Sequence, residues 1–175
     1  MSHSMPIADL LIRAETPDDA AAINAITTAA FREVPHSGHT EQFIVAALRA
    51  AGQLSVSLVA EADGRLCGHV ALSPVHIEDG SPAWFGLGPV SVLPALQRRG
   101  IGQQLIGTAL QALRDRAAGG CVVLGNPAYY GRFGFRSVPG LVLPGVPAEY
   151  FQAMAFGPRM AQGRVGYHAA FDARA

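Results

Sequence analysis

The stretch from Trp84 to Gly120 limits what this chain can fold into more than any other. Trp84–Leu93 is apolar, rich in β-branched valine and halted by Pro94, which predicts a buried strand. Beyond Pro94 the period changes. Leu105, Ile106, Ala109, Leu110 and Leu113 recur at three- and four-residue spacing, predicting an amphipathic helix that Gly119 and Gly120 end. Cys121–Leu124 then reads as a further strand. Two strands separated by a helix must run parallel, joined by a right-handed crossover.

The segment between strand and helix is Gln97-Arg98-Arg99-Gly100-Ile101-Gly102. Glycines at a helix start let a ligand approach the backbone closely. The first helical turn has N–H groups with no intrahelical partner and a partial positive charge. With two arginines beside them, such donors favour a phosphate. Taken alone, the hexapeptide fits an ordinary basic loop before a surface helix equally well. Two familiar nucleotide sites are excluded: no G-x-x-x-x-G-K-[ST] occurs, and Leu105 stands where a dinucleotide fingerprint needs its third glycine.

The rest of the chain supplies an antiparallel frame. Leu10–Glu15 reads as a strand, and Thr16-Pro17-Asp18-Asp19 as a helix start running on to Phe31. Val34–Thr40 is a polar loop containing His36 and His39, and a second helix covers about Glu41–Ala51. Two histidines without a third ligand make no metal site. Ser55–Glu61 and Leu66–Ile77 are strands joined by the hairpin signal Asp63-Gly64, and Pro74 suggests a bulge or edge. Pro127–Phe133 reads as a short helix, Phe135 as a strand start, Ala148–Ala155 as a helical turn and Gly163–Phe171 as a final strand.

With 175 residues, half of them hydrophobic, one domain with a sizeable core is expected over 1–175. The formal net charge is zero and no basic run occurs, which argues against nucleic-acid or anionic-membrane partners. Cys67 and Cys121 lie in apolar runs and read as core thiols of a reducing compartment. No apolar run is long enough to span a bilayer, and Met1–Pro6 lacks the features of a secretory signal, so a bacterial cytoplasmic protein is expected.

Gln97, Gly100 and Gly102 fill the fixed positions of [Q/R]-x-x-G-x-[G/A], and Asn126 with Tyr130–Phe135 gives N followed by Y-x-x-x-G-F. Both signatures, in this order around one helix, resemble the GNAT superfamily of N-acetyltransferases, and their wording is closest to a bacterial YhbS-like subgroup. The resemblance covers about residues 10–136 as a core, with 137–175 as a C-terminal extension. It implies an α/β (α+β) acyl-CoA N-acyltransferase fold: a mixed, mostly antiparallel sheet, splayed between the fourth and fifth strands and flanked by helices. It also implies acetyl-CoA as cosubstrate, no metal, and an amine acceptor.

By the same resemblance, Gln97, Arg98, Arg99, Gly100, Ile101, Gly102 and Gln103 would cradle the diphosphate. Val90, Ser91 and Val92 would hold the pantetheine through their backbone, Asn126 would contact it, and Tyr130 would be the general acid. Tyr129 is the weaker candidate for that role. The base stays open, because Trp84–Leu93 contains no acid or histidine; His69, His76, Glu78 and Glu41 are candidates, and a water relay needs none. A non-catalytic acyl-CoA-binding sensor is the alternative function. The apolar C-terminal third offers a surface for a homodimer.

Overall fold

A computed structural model describes residues 9–175; Met1–Pro6 lies outside the described residues. The elements are β1 (Leu11–Ala14), α1 (Ala20–Phe31), α2 (Glu41–Ala50), β2 (Val56–Ala62), β3 (Arg65–Ile77) and β4 (Trp84–Val92). They continue with α3 (Ile101–Asp115), β5 (Gly120–Leu124), α4 (Pro127–Tyr130), β6 (Leu141–Val142), β7 (Phe151–Ala155) and β8 (Gly163–Tyr167). The main sheet runs β1-β2-β3-β4-β5-β7, while β8 pairs with β3 and with β6. Along that path every pairing is antiparallel except β4 with β5, which is parallel as the intervening helix requires.

The sheet has a helical layer on each face, and two adjacent residues of β3 show it. A Cβ at Gly68 would meet Leu105 and Ile101 of α3. His69 must point the other way, to the face where Thr27 of α1 accepts from Ser91 Oγ at 3.4 Å. The apolar stripe Ile101, Leu105, Ile106, Ala109, Leu110 and Leu113 is buried on the first face, in one cluster with Val70, Leu72 and Leu87 of the sheet. Cys67 and Cys121 are buried free thiols, and burial raises the pKa of both.

Two irregularities interrupt the strand pairing. Pairing of β3 with β2 ends at Leu72 and its pairing with β8 begins at Val75, so Pro74, lacking an N–H, falls between the two partners. Between the pairs Val70↔Val90 and Leu72↔Leu87, β4 uses one residue more than β3, a bulge containing Gly88 and Pro89. Gly88 has φ +130, which a side chain would strain. Pairing of β4 with β5 covers Trp84↔Gly120 to Leu87↔Val123 and goes no further. From Gly88 onward the two strands part, as the splayed sheet requires.

The C-terminal third departs from the sequence reading in three places. Only Ala148–Tyr150 of the expected helical turn is helical; Phe151–Ala155 is a strand that pairs with the whole of β5. No strand starts at Phe135, which is buried and followed by a single bridge, Arg136↔Ala153. The last strand stops at Tyr167 because His168 Nδ1 accepts from Ala170 N at 3.0 Å and caps a 3-10 turn over Ala169–Asp172.

Candidate active site

Where β4 leaves β5, no strand among the described residues pairs with its outer edge. Leu93 N–H donates to Cys67 O of β3 at 2.9 Å. Successive residues of a strand present their backbone groups to opposite edges, so those of Val92 and Val90 face the gap. Gln97 Nε2 donates to Val92 O at 3.0 Å from that side, fixing the loop to the open edge. Ser91 lies between the two valines, yet its buried side chain turns toward Thr27 and its backbone toward β3.

The head of α3 closes one end of this gap. Gly100 is its N-cap with φ +85, and no heavy atom lies within 4 Å of a would-be Cβ, so conformation and not space calls for glycine here. A groove of about 470 Å³ results, with Val90 and Val92 on one wall and Gln97, Arg98, Gly100, Ile101, Gly102 and Gln103 on another. Ile101 is 1% exposed, so its side chain belongs to the core and not to the groove surface. Arg99 does not line the groove; Arg132, which the sequence reading overlooked, does. Its guanidinium lies 4.6 Å from the centre of the Tyr129 ring. The overlooked signal was a cation inside the Y-x-x-x-G-F segment.

Tyr130 lines the groove as well. Its ring packs edge-on against Tyr129 (5.0 Å between centres) and Phe135 (6.1 Å) and lies against the backbone at Gly125. Burial pushes its pKa up to about 12, so the phenol is protonated across the physiological range. Asn126 is exposed and caps α4, its Oδ1 accepting from Ala128 N at 2.9 Å. That bond aims α4, and therefore both tyrosines, at the groove.

A second cavity of about 450 Å³ adjoins the first, and Val90 and Tyr130 line both. Gly88, Pro89 and Leu124 floor it at the point of divergence, with Phe31, Glu41 and Ile44 on the α1–α2 side. Leu143, Tyr167 and Phe171 close it from the C-terminal third, residues to which the sequence reading gave no role. Of the candidate bases, only Glu41 reaches either cavity. His69 is fully buried beside Ser57 Oγ (2.8 Å from Nε2), and burial lowers its pKa to about 4. Glu78 Oε2 is bound to Arg164 N at 2.8 Å, and His76 is exposed in the β3–β8 pairing.

A split parallel strand pair, the backbone amides at a helix head and a buried phenol therefore lie together at one groove. Residues 53–137 match the family profile described as an acetyltransferase (GNAT) domain. The uncharacterised N-acetyltransferase YhbS of Escherichia coli K12 is 36% identical over 127 residues, 72% of this chain and 73% of the relative. A GNAT-family acetyltransferase from Brucella melitensis, solved in complex with acetyl-CoA, is 53% identical and superposes with a TM-score of 0.84 over 93% of this chain and 98% of that one. Escherichia coli YhbS solved with CoA also gives a TM-score of 0.84, at 33% identity over 98% and 96% of the two chains. The chain belongs to the GNAT family of acetyltransferases and is close to YhbS.

Proposed function

We propose that this chain binds acetyl-CoA and moves its acetyl group directly to a primary amine, in a bacterial cytoplasm. The observation that carries the reading is the meeting of the bare β4 edge, the cradle before α3 and the Tyr130 phenol in one groove. Acetyl-CoA supplies the activated acyl carbon. The amides from Gly100 to Gln103, assisted by Arg98 and Arg132, hold its diphosphate at the positive end of α3. Backbone groups of Val90 and Val92 pair with the pantetheine as β5 would have paired, and the relatives solved with acetyl-CoA or CoA support the choice of cosubstrate.

Tyr130 then donates its proton to the departing thiolate. A general acid of this kind contributes about 10²–10⁴-fold. Tyr130→Phe is therefore expected to lower kcat by about that factor while acetyl-CoA affinity, read by calorimetry, stays unchanged. Full thiol release by the variant on a turned-over amine removes the acid role. Acetyl-CoA binding without thiol release across an amine library favours a non-catalytic sensor, the reading that the acid-free β4 leaves open.

A further inference from the structure

Four buried side-chain polar atoms lack a hydrogen-bond partner among the described residues: Glu41 Oε2, His69 Nδ1, Ser73 Oγ and Gln152 Oε1. Glu41 is the carboxyl group in that set and the one that lines a cavity. It is the first residue of α2, where helix N–H groups favour an acid. That preference explains an acid at the helix start, and it requires no burial. Glu41 Oε1 accepts from Ser37 Oγ, which fixes the carboxylate, while Oε2 is withdrawn from water with no donor. Leaving a buried acceptor unmet is costly, and a carboxylate more so. Glu41 also lines the second cavity, so a turn of its carboxylate about the soft terminal torsion would present Oε2 to a donor seated there.

The remaining walls say what carries that donor. Phe31, Ile44, Leu87, Leu143, Tyr167 and Phe171 are apolar or aromatic, and Glu41 is the one charged residue among the described lining. Val90 and Tyr130 line both this cavity and the groove proposed for acyl-CoA, so a molecule seated in it would lie beside the acyl carbon. We propose that this cavity takes a primary amine borne on an apolar body, and that Glu41 binds the ammonium and accepts its proton. This rests on the acetyltransferase reading above. One proton passes from the ammonium to Glu41, and the nitrogen bonds the acyl carbon as the carbon–sulfur bond breaks. Tyr130 protonates the sulfur and regains a proton from the second one lost by nitrogen. Glu41 returns its proton to water, so the balance is amide, free thiol and one proton.

The test uses the full chain, acetyl-CoA and probe amines, with thiol release as readout. Phenethylamine should exceed ethanolamine in kcat/KM by about 10-fold or more, the scale of apolar-pocket discrimination. Glu41→Gln should lower kcat/KM for phenethylamine by about 100-fold and leave acetyl-CoA affinity within about 2-fold. A pair of non-reacting inhibitors makes the same point on the unaltered protein. Cationic N,N-dimethylphenethylamine should inhibit at about 10-fold lower concentration than neutral 2-phenylethanol, in line with a charge-assisted contact. A phenylalanyl-glycine amide arm assigns the source: the faster of peptide and free amine names it, and either order supports the pocket. Equal rates for phenethylamine and ethanolamine, or equal inhibition by cation and alcohol, overturn the inference while thiol release keeps the acetyltransferase reading. No thiol release with any amine overturns both.

Discussion

Gly125 places Tyr130, and an alanine there should disable the acid without touching it. A Cβ at Gly125 would stand 2.4 Å from Tyr130 Cε2 and 3.0 Å from Cδ2. Non-bonded carbons rest about 3.5–4.0 Å apart, so something must yield by about 1 Å. The backbone is held on both sides: Gly125 N–H donates to Tyr150 O at 2.9 Å and Gly125 O accepts from Gln152 Nε2 at 3.1 Å. The ring borders two cavities and has room to move. Misplacing a catalytic group by 1 Å costs about 10²-fold, the expected loss of kcat in Gly125→Ala. Crowding should also destabilise the fold by about 1–3 kcal/mol, read by urea denaturation. The deciding assay is the cycle with Tyr130→Phe. With the hydroxyl gone, shifting the ring removes nothing further, so the double variant should be about as slow as Tyr130→Phe alone. Effects that multiply, or a Gly125→Ala enzyme that loses stability but no rate, would refute the placement.

Two further predictions follow from buried or strained positions. The folded-state pKa of His69, about 4, lies below its ordinary 6.5, so the unfolded chain binds that proton more tightly. Its contribution to stability is complete above about pH 6.5 and drains away as pH falls toward 4; His69→Gln should flatten this part of a urea-denaturation series, and an unchanged slope would count against it. Gly100→Ala meets no atoms but must hold φ +85, costing about 1–2 kcal/mol and turning the cradle amides, so acetyl-CoA affinity should drop. Gly107→Ala, in the open middle of α3, is the control: it should stabilise by up to about 1 kcal/mol and leave affinity alone.

Most of one half of the site was legible because its signals are local. The strand halted by Pro94, the glycines at the helix head, the 3.6-residue stripe of α3 and the Asp63-Gly64 hairpin each lie within a few residues of one another. The second cavity has no such signal. Phe31, Glu41, Tyr167 and Phe171 meet only in three dimensions, and no spacing rule links them. The mid-strand position of His69 already favours a structural histidine, which it is, but nothing local marks Glu41 as the candidate that lines a cavity.

The missed strand β7 matters most for the mechanism. Ala148–Ala155 holds Ala, Glu, Gln and Met, residues whose own preference is helical, and four of the five β7 residues are buried, hiding any alternation. Its conformation is set instead by the free edge of β5, which it covers from Gly120↔Ala155 to Leu124↔Phe151. That partner holds β5 along its full length, while β4 is bound to β5 only as far as Leu87 and then bends off at its bulge. One jaw of the cleft is therefore written in Gly88-Pro89, where a sequence reader can find it. The other depends on a partner some thirty residues downstream in sequence, a non-local contact of the kind that overrides local propensity. With β5 tied on its far side, swinging across to cover Val90 and Val92 would break the β5–β7 ladder, so the β4 edge proposed to take the pantetheine is kept open by the fold itself.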